Sequence, residues 1–387
     1  MKKFNLVRYI ALIVAVVLVI LYLTQLQTEP QQQAQARLIT LGDVPQAFKR
    51  ADGPVSLVFP QDFGPHPEFQ TEWWYYTGNL ATDDGRRFGY QLTIFRRALL
   101  PQEVLVPRQS NFATEQIYLA HFAITDVNGK KHSEFERFAR GAGGLAGAQA
   151  VPYRVWVEDW AIEEVDSTTT RLRANHGGLS LDLLLADEKG PVLHGISGYS
   201  QKGPNPGNAS YYYSQTRLTT QGTVTVADQT FTVSGFSWKD HEYSTSALSA
   251  DQVGWDWFAL QLDDGTELKV FHIRKIDGSI DPYSSGSFID RNGSLTPLAE
   301  ADFEIVVSDR WESPANGALY PSRWTVSVPS LGIELEIAPY LPDQEMNVSY
   351  NYWEGAVYFS GTRAGNPVSG SGYVELTGYA GSMAGEF

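Results

Sequence analysis

Alternation of apolar and polar residues, broken by tight-turn dipeptides, is the feature that most restricts what this chain can fold into. Residues 88–95 (FGYQLTIF) alternate as a β-strand with one buried face does. From Pro54 onward no long helical period occurs. Dipeptides that supply the positive φ of a hairpin turn recur instead, at Asp84-Gly85, Asn128-Gly129, Asp264-Gly265 and Asn292-Gly293. The pattern predicts an all-β fold.

A weak internal repeat suggests two copies of one β-domain. Residues 73–75 (WWY) are followed by a strand, the turn 83–85 (DDG) and a second strand. Residues 255–257 (WDW) are followed by the same pattern around the turn 263–265 (DDG). One such match can arise by chance, because Asp-Asp-Gly is a common turn, so the hairpins alone do not establish a duplication.

The ends of the two presumed copies also match, which favours a duplication. Residues 235–243 (GFSWKDHEY) close the first copy, and residues 372–379 (GYVELTGY) close the second. Two matches in the same order predict domains at 54–245 and 250–380, with the boundary near residues 245–250. We expect each domain to be a β-barrel, because closing a sheet removes its exposed edge strands.

The N-terminal head predicts a membrane anchor and tether over residues 1–36, with one helix at 9–26. The uncharged run YIALIVAVVLVILYLT follows the basic flank MKKFNLVR, which favours a cytoplasmic N-terminus and a periplasmic globular part at the inner (cell) membrane. The alternative is a cleaved signal peptide, because residues 34–36 (AQA) fit a cleavage site, although the polar residues 25–33 separate them from the apolar run. A buried core helix is disfavoured, because the run has no polar face.

Composition excludes several classes of protein. The formal net charge is −15 at pH 7, and such a surface repels phosphate backbones, so we expect no nucleic-acid partner. The chain contains no cysteine, which excludes disulfides, thiol nucleophiles and thiolate metal sites. The absence of a G-x-S-x-G motif argues against an α/β-hydrolase, and no G-x-G-x-x-G segment indicates a dinucleotide-binding fold.

Several long, aromatic-rich segments carry a resemblance to a known family. They are HPEFQTEWWYYTGNL at residues 66–80, then YLAHFAITD, SYYYSQTRL and GFSWKDHEYS, and finally YWEGAV and GSGYVELTGY. In this order they resemble the family that includes AttH and carotenoid 1,2-hydratase (hydroxyneurosporene synthase), over about residues 54–379. The resemblance implies two lipocalin-like β-barrels in tandem.

The resemblance also implies two different functions. Members include hydratases that act on carotenoid precursors, and secreted or anchored proteins of unassigned activity, some of which accompany ABC export systems. A barrel with an aromatic interior can hold an apolar molecule or react with it. We therefore expect either an anchored carrier of a hydrophobic, lipid or isoprenoid-like ligand, accessory to an ABC export system, or a hydratase. The fold alone does not decide between them.

Three consecutive ionisable residues, Asp240, His241 and Glu242, are the candidate catalytic residues. On a strand, Asp240 and Glu242 share one face, while His241 shares the other face with Lys239. Hydration of an isolated alkene needs a strong proton donor and no cofactor, and burial in an apolar pocket raises the pKa of a carboxylic acid so that it can donate. We predict Asp240 as the donor, at the inner face or mouth of the first barrel. The hydratase branch of the resembled family implies the same role for its matching aspartate.

Aromatic rings near Asp240 are candidate ligand-binding residues, because ring faces stabilise a developing cation. The candidates are Trp73, Tyr75, Tyr212 and Trp238. Glu72 is a further candidate, since it can face Asp240 across the barrel mouth and raise its pKa. The alternatives are structural. Glu72 can pair with a buried arginine such as Arg96 or Arg217, the aromatic residues can be core, and the acidic cluster can hold a rim loop through salt links.

A metal site is not expected. His66, His121 and His241, with nearby carboxylates, offer ligands that suit zinc or manganese. No H-x-H or H-x-x-x-H spacing brings two of them together in the sequence. His121 lies inside a predicted strand, where we expect a hydrogen-bonded core histidine.

Overall fold

The computed structural model describes residues 48–102, 110, 113–245 and 248–383. The predicted anchor helix at residues 9–26 lies outside these residues. The described part is all-β, as predicted. The helical segments that lie wholly within the described residues are three single 3₁₀ turns, Gln61–Phe63, Glu300–Asp302 and Pro329–Leu331. None of the described helices has the length and apolar character needed to cross a membrane.

The described strands form two sheets. We call the first sheet the first barrel: β1 (Thr71–Ala81), β2 (Arg87–Ala98), β3 (Gln116–Asp126), β4 (Lys131–Arg140), β5 (Ala146–Gln149), β6 (Arg154–Val157), β7 (Trp160–Glu164), β8 (Thr169–His176), β9 (Leu179–Asp187), β10 (Val192–Leu193), β11 (Tyr199–Gln201), β12 (Ala209–Val226) and β13 (Gln229–Ser244). The second barrel contains β14 (Gln252–Leu262), β15 (Glu267–Lys275), β16 (Ser285–Ile289), β17 (Leu295–Ala299), β18 (Glu304–Glu312), β19 (Leu319–Val328), β20 (Ile333–Pro339), β21 (Glu345–Asn347), β22 (Asn351–Arg363) and β23 (Asn366–Leu376).

Both sheets are antiparallel and share one pairing scheme. The first barrel has the order β4-β3-β2-β1-β13-β12-β9-β8-β7-β6-β5, with β10 and β11 paired to β12. The second barrel has the order β17-β16-β15-β14-β23-β22-β20-β19-β18, with β21 paired to β22. In each barrel the first strand therefore lies between the second strand and the last. One sheet nearly closes and the other forms a half-barrel, so the sheets are barrel-like and are not two closed barrels.

The two hairpins of the sequence repeat occupy the same place in the two sheets. Each follows the first strand of its barrel, β1 or β14, and the turn glycines Gly85 and Gly265 have φ values of 87° and 83°. In the turn at Asn128-Gly129 the positive φ, 53°, falls one residue later, at Lys130. The first barrel ends at Ser244 and the second begins at Gln252. Along the sequence, the predicted boundary near residues 245–250 falls between these two strands.

Strand β1 is buried on both faces, because it packs against two cores. Trp74 and Tyr76 point into the first barrel. Tyr75, between them, packs against the second barrel, together with Trp238 of β13. Since successive side chains alternate across a strand, aromatic residues on both faces of β1 complete both the barrel interior and the surface between the barrels. The second barrel has a further core of its own, which includes Trp324.

Polar contacts join the two barrels. The Asn79 side chain donates a hydrogen bond of 2.9 Å to the Gly372 carbonyl. Glu267, which is fully buried, accepts from Lys189 Nζ at 2.8 Å and from Arg217 Nε at 2.5 Å. Such pairs are costly to break, because removal of one partner leaves a buried charge. Arg217 thus belongs to the contact between the barrels and is not a partner of Glu72.

Candidate functional site

A cavity lies where the outer face of β1 and β13 meets the second barrel. The space that it encloses, counted together with the solvent at its open mouth, is about 880 Å³. Both barrels contribute to its aromatic lining: Trp73, Tyr75, Phe95, Tyr212, Trp255, Trp257, Phe271, Tyr350 and Tyr352. The ionisable side chains of the lining are Lys202, Tyr75, Tyr212, Asp240, Glu242, Tyr350, Tyr352 and Glu375. The cavity therefore presents aromatic surface and ionisable groups together.

The pairing register of β1 with β13 brings the predicted residues together. Trp73 lies opposite Glu242, and Tyr75 lies opposite Asp240. These four residues lie on the cavity side of the sheet, because side chains two apart share a face. Four of the predicted ligand-binding or catalytic positions thus line one cavity, and Tyr212, from the neighbouring strand β12, lines it as well.

Asp240 is held by three hydrogen-bond donors. The Tyr212 hydroxyl donates to Oδ2 at 2.5 Å, and Trp238 Nε1 donates to Oδ1 at 2.6 Å. The Ser214 hydroxyl also donates to Oδ1. Burial raises the pKa of Asp240 to about 6, although the three donors oppose this shift. Trp238 thus contacts Asp240 directly.

The position of Asp240 differs from the prediction in one respect. We expected the inner face or mouth of the first barrel, but Asp240 lies on the outer face, in the cavity between the barrels. The reason is that the second barrel covers this face with its own apolar side chains, so the outer face is as buried as the inner one. Asp240 forms no ion pair with any described cation, and Lys239 lies on the opposite face of β13.

Two lysines, which the sequence did not single out, lie beside the acidic residues of the cavity. Lys202 Nζ lies 2.9 Å from Glu242 Oε1, and the Ser210 hydroxyl also donates to Glu242. Lys269 is buried, with its Nζ 4.4 Å from the centres of the Tyr212 and Phe271 rings. Burial and the charge of Lys202 lower the pKa of Lys269 to about 7.

The second barrel adds two carboxyl groups that sequence analysis assigned no role. Glu375 lines the cavity and accepts from Trp255 Nε1 at 2.7 Å. Glu354 lies opposite Glu375 in the register of β22 and β23, and it accepts from the Tyr75 hydroxyl at 2.6 Å. The signal in the sequence was the single acidic residue of GYVELTGY, but its neighbour Glu354 becomes apparent only from the strand register.

Glu72 and His241 lie on the other side of the sheet, inside the first barrel. Glu72 Oε1 accepts from His241 Nε2 and from His66 Nδ1, each at 2.8 Å. Glu72 Oε2 accepts from Arg96 Nε at 2.8 Å. Glu72 is therefore the partner of a buried arginine, Arg96, which is the structural alternative given by the sequence. Neither Glu72 nor His241 contacts the cavity, because each alternates with a cavity residue along its strand.

The His66–Glu72–His241 cluster has the spacing of a metal site, with ligand atoms within 4.8 Å of one another. Each ring nitrogen, however, already has a protein partner. His66 Nε2 donates to Asp62 at 2.9 Å, and His241 Nδ1 lies 2.8 Å from the Tyr213 hydroxyl. Burial would lower the pKa of His66, yet the hydrogen bonds to Asp62 and Glu72 raise it to about 9, so the ring carries a charge. These residues form a buried network of hydrogen bonds and ion pairs.

His121 takes no part in this cluster. Its Nδ1 lies 2.8 Å from the Tyr352 hydroxyl, and its Nε2 lies 3.2 Å from Glu136. It is a buried, hydrogen-bonded histidine. Its contact with Tyr352 links the first barrel to the second barrel beside the cavity.

Comparison with known proteins decides the family. The sequence profile of the AttH-like family matches residues 50–379. The chain belongs to this family. A crystal structure of an AttH from Nitrosomonas europaea is 34% identical and has a TM-score of 0.75, with 86% of this chain and 100% of that chain covered. No curated protein matches the chain.

Another protein of similar structure is a named enzyme. Kievitone hydratase from Nectria haematococca is 16% identical, with a TM-score of 0.63 over 87% of this chain and 98% of that chain. At this identity the likeness is one of fold. The resemblance seen in the sequence is thus confirmed at the level of the family.

Proposed function

We propose that this AttH-like protein binds a hydrophobic small molecule, of the lipid or isoprenoid type, in the cavity between its two barrels. The observation that carries the proposal is the aromatic lining, to which both barrels contribute. Enclosure by rings favours apolar ligands, because burial of apolar surface gives roughly 25 cal/mol per Å². A few charged groups at fixed positions would orient the ligand.

The binding test compares two half-buried tryptophans of the first barrel. Trp73 lines the cavity, whereas Trp156 of β6 lies elsewhere on the barrel. With N-phenyl-1-naphthylamine, a neutral apolar fluorophore, Trp73→Leu should raise Kd by about 10-fold, equivalent to ~1.4 kcal/mol. The control Trp156→Leu should leave Kd unchanged. Equal effects of the two substitutions would place the probe outside the cavity.

The natural ligand can be sought directly. Mass spectrometry of molecules extracted from protein purified out of its native membrane should find an apolar compound in the wild type. Trp73→Leu should reduce its yield, while Trp156→Leu should not. A wild-type protein that carries only the lipids present in the surrounding membrane, in the same proportions, would count against a dedicated carrier.

A second candidate function is hydration of an isolated C=C bond, without a cofactor, with Asp240 in acid–base catalysis. Buried carboxyl groups among aromatic rings support it, since burial raises the pKa of Asp240 to about 6 and of Glu375 to about 7. Groups with pKa near ambient pH are effective acid–base catalysts. The similar fold of kievitone hydratase, an enzyme named for hydration, agrees with this candidate.

Asp240→Asn separates the two candidates. Asn has nearly the size of Asp but cannot exchange an acidic proton. With squalene in detergent micelles and ¹⁸O-labelled water, a hydratase should lose ~100-fold or more in the rate of label incorporation. A carrier should incorporate no label, and its affinity for N-phenyl-1-naphthylamine should change little. The matched control is Asp182→Asn, in an exposed ion pair of the first barrel.

We also propose that residues 9–26 anchor the protein in the inner membrane, with the barrels in the periplasm and ABC export components as partners. The uncharged run and its basic flank support the anchor. Carbonate-washed membranes should retain the full-length chain. A soluble product that begins near Arg37 would indicate cleavage instead. Co-purification with a transporter permease would support the export role.

A further inference from the structure

The hydrogen bonds around Asp240 favour its ionised state. Trp238 Nε1 can only donate, so Asp240 Oδ1 must accept. Tyr212 accepts from Trp257 Nε1 at 3.2 Å, and its single proton is directed to Asp240 Oδ2. Both carboxylate oxygens therefore serve as acceptors. Donors on both oxygens favour the ionised form, because each of them stabilises the negative charge.

A second chain of hydrogen bonds leads to the same carboxylate. His194 Nε2 lies 2.6 Å from the Ser214 hydroxyl, which donates to Asp240 Oδ1. His194 Nδ1 lies 2.9 Å from the Ser287 hydroxyl of the second barrel. Burial and the charge of Lys269 lower the pKa of His194, so the ring is neutral and can donate from Nε2 while it accepts at Nδ1. The donors around Asp240 are thus oriented toward an anion.

The carboxyl groups of the second barrel have the opposite environment. Glu354 is fully buried, and its Oε2 has no hydrogen-bond partner among the described residues. Neither Glu354 nor Glu375 forms an ion pair with a described lysine, arginine or histidine. Each accepts one bond from an aromatic side chain, Tyr75 or Trp255. Two facing carboxyl groups without a cation cannot both be ionised, because the repulsion between them is not compensated.

Charges from the first barrel add to this effect. Burial raises the pKa of Glu375 to about 7, and the charges of Asp240 and Glu242 raise it as well. Burial and the charge of Glu375 raise the pKa of Glu354 well above its ordinary value. Among the acidic residues of the first barrel, Glu242 pairs with Lys202, and the charge of Lys269 lowers the pKa of Asp240.

We propose that the facing carboxyl groups of Glu354 and Glu375 share a proton, that Glu375, which lines the cavity, donates it, and that Asp240 is the ionised base. Glu354 is then a positioning residue, because it acts through Glu375. This assignment rests on the hydratase candidate above and reverses the role that the sequence suggested for Asp240. Enzymes separate the roles of acid and base by placing two titratable groups of one site in different environments, which move their pKa values apart. Here the first barrel supplies Asp240, and the second barrel supplies Glu375.

The reaction balances with water as the only co-reactant. The Glu375 proton adds to one alkene carbon, the π electrons form the new C–H bond, and the other carbon becomes a carbocation. A water oxygen attacks that carbon and gives a proton to Asp240. Glu375 is then a carboxylate and Asp240 an acid, and one proton returns from Asp240 to Glu375 through water at the open mouth. Rings such as Trp257 and Tyr75 would stabilise the cation.

Infrared spectroscopy of the ligand-free, full-length protein tests the ionisation states without a substrate. The carbonyl stretch of a protonated carboxyl group should be present at neutral pH, shift in D₂O and lose intensity in Glu375→Gln and in Glu354→Gln. Asp240→Asn should lower it much less, because that substitution removes only one of the charges that raise the pKa of Glu375. Glu336→Gln, at an exposed position of the second barrel, is the matched control. Glu134, whose pKa burial raises to about 7, should absorb in every variant.

Three results would overturn the assignment. The first is a loss of protonated absorption in Asp240→Asn as large as the loss in Glu375→Gln. The second is an absorption that persists in Glu375→Gln and is lost only in Glu354→Gln, which would show that Glu354 alone holds the proton. The third is retention of the full absorption in both glutamine variants. Circular dichroism of each variant, matched to the wild type, shows that the fold persists and that the absorption change is local.

Turnover separates failure of this assignment from failure of the function. If the wild type hydrates squalene, Glu375→Gln should slow ¹⁸O incorporation by ~100-fold or more. Addition of an ammonium salt should not restore the rate of the variant. Unimpaired turnover in Glu375→Gln overturns the donor role and leaves the hydratase intact. A wild type that neither hydrates squalene nor dehydrates the tertiary alcohol derived from it removes the hydratase function, and the donor role with it.

Discussion

The two faces of the β1–β13 ribbon make an instructive pair, because both are buried and both carry ionisable groups. On the inner face, Glu72 accepts from Arg96, His66 and His241, so its charge is matched by those of Arg96 and His66. On the outer face, Asp240 has hydrogen-bond donors but no ion pair with a described cation. The same two strands thus place a closed network on one side and an open one on the other.

The difference shows why a buried charge cannot be taken as a catalytic group from burial alone. A carboxylate whose partners use all its lone pairs contributes to the fold and has no capacity left for a ligand. A carboxyl group with a shifted pKa beside an aromatic cavity retains such a capacity. The inner network is therefore expected to determine stability, and the outer groups are expected to determine binding and chemistry.

The largest expected effect is on the inner face. Glu72→Gln leaves the guanidinium of Arg96, which is fully buried, without its counter-charge. Loss of one partner of a buried ion pair typically costs ~3–5 kcal/mol of unfolding free energy. Urea unfolding followed by tryptophan fluorescence measures this loss. Asp182→Asn, which breaks the exposed pair with Arg171, should cost at most ~1 kcal/mol. Equal costs for the two substitutions would contradict the comparison.

The pH dependence of stability gives the next largest effect. The pKa of His66 is raised from 6.5 to about 9 in the folded state, so the folded state binds the proton more tightly than the unfolded state does. The stabilisation is therefore complete below pH 6.5 and is lost as the pH rises through about 9. A shift of this size corresponds to about 3 kcal/mol, at 1.36 kcal/mol for each pKa unit.

The measurement is the difference in unfolding free energy between the wild type and His66→Gln across this pH range. The difference should shrink as the pH rises, because only the wild type loses the His66 proton. Burial lowers the pKa of Lys239 and of Lys269 to about 7. Both lysines titrate in the wild type and in the variant, so their contributions cancel in the difference. A difference that stays constant with pH would show that His66 is not charged in the folded state.

The sequence predicted the parts of this arrangement that depend on local pattern. Period-two alternation sufficed to put Asp240 and Glu242 on one face of a strand and Lys239 and His241 on the other. The turn dipeptides identified the hairpins at Gly85 and Gly265. These inferences need only the geometry of one strand or one turn, which nearby residues determine.

Long-range packing accounts for what the sequence did not reveal. Alternation cannot distinguish the inside of a barrel from a covered outside when both faces are apolar, so Asp240 was expected on the wrong side of the sheet. Glu354 and Glu375 are brought together by the register of β22 with β23 and face Asp240 only after the barrels pack. Lys202 lies in a segment between β11 and β12 that carries no recognisable pattern.

The smallest expected effect is also the most discriminating one. Tyr212 and Tyr75 are buried tyrosines that donate to Asp240 at 2.5 Å and to Glu354 at 2.6 Å. A hydrogen bond to a charged acceptor contributes ~1.5–3 kcal/mol, whereas one to a neutral acceptor contributes ~0.5–1.5 kcal/mol. If Asp240 is ionised and Glu354 is protonated, the two bonds should differ about twofold in strength.

Double-mutant cycles isolate the two bonds from other consequences of each substitution, such as the loss of the Trp257 bond to Tyr212. The coupling energy between Tyr212→Phe and Asp240→Asn in urea unfolding at neutral pH should be ~2 kcal/mol, and that between Tyr75→Phe and Glu354→Gln should be ~1 kcal/mol. The first should fall toward the second below the pKa of Asp240, about 6, because protonation removes the charge that strengthens it. Equal couplings at neutral pH would mean that the two carboxyl groups share one ionisation state. In that case the outer face would hold two equivalent acids, and its contrast with the inner network would not separate a donor from a base.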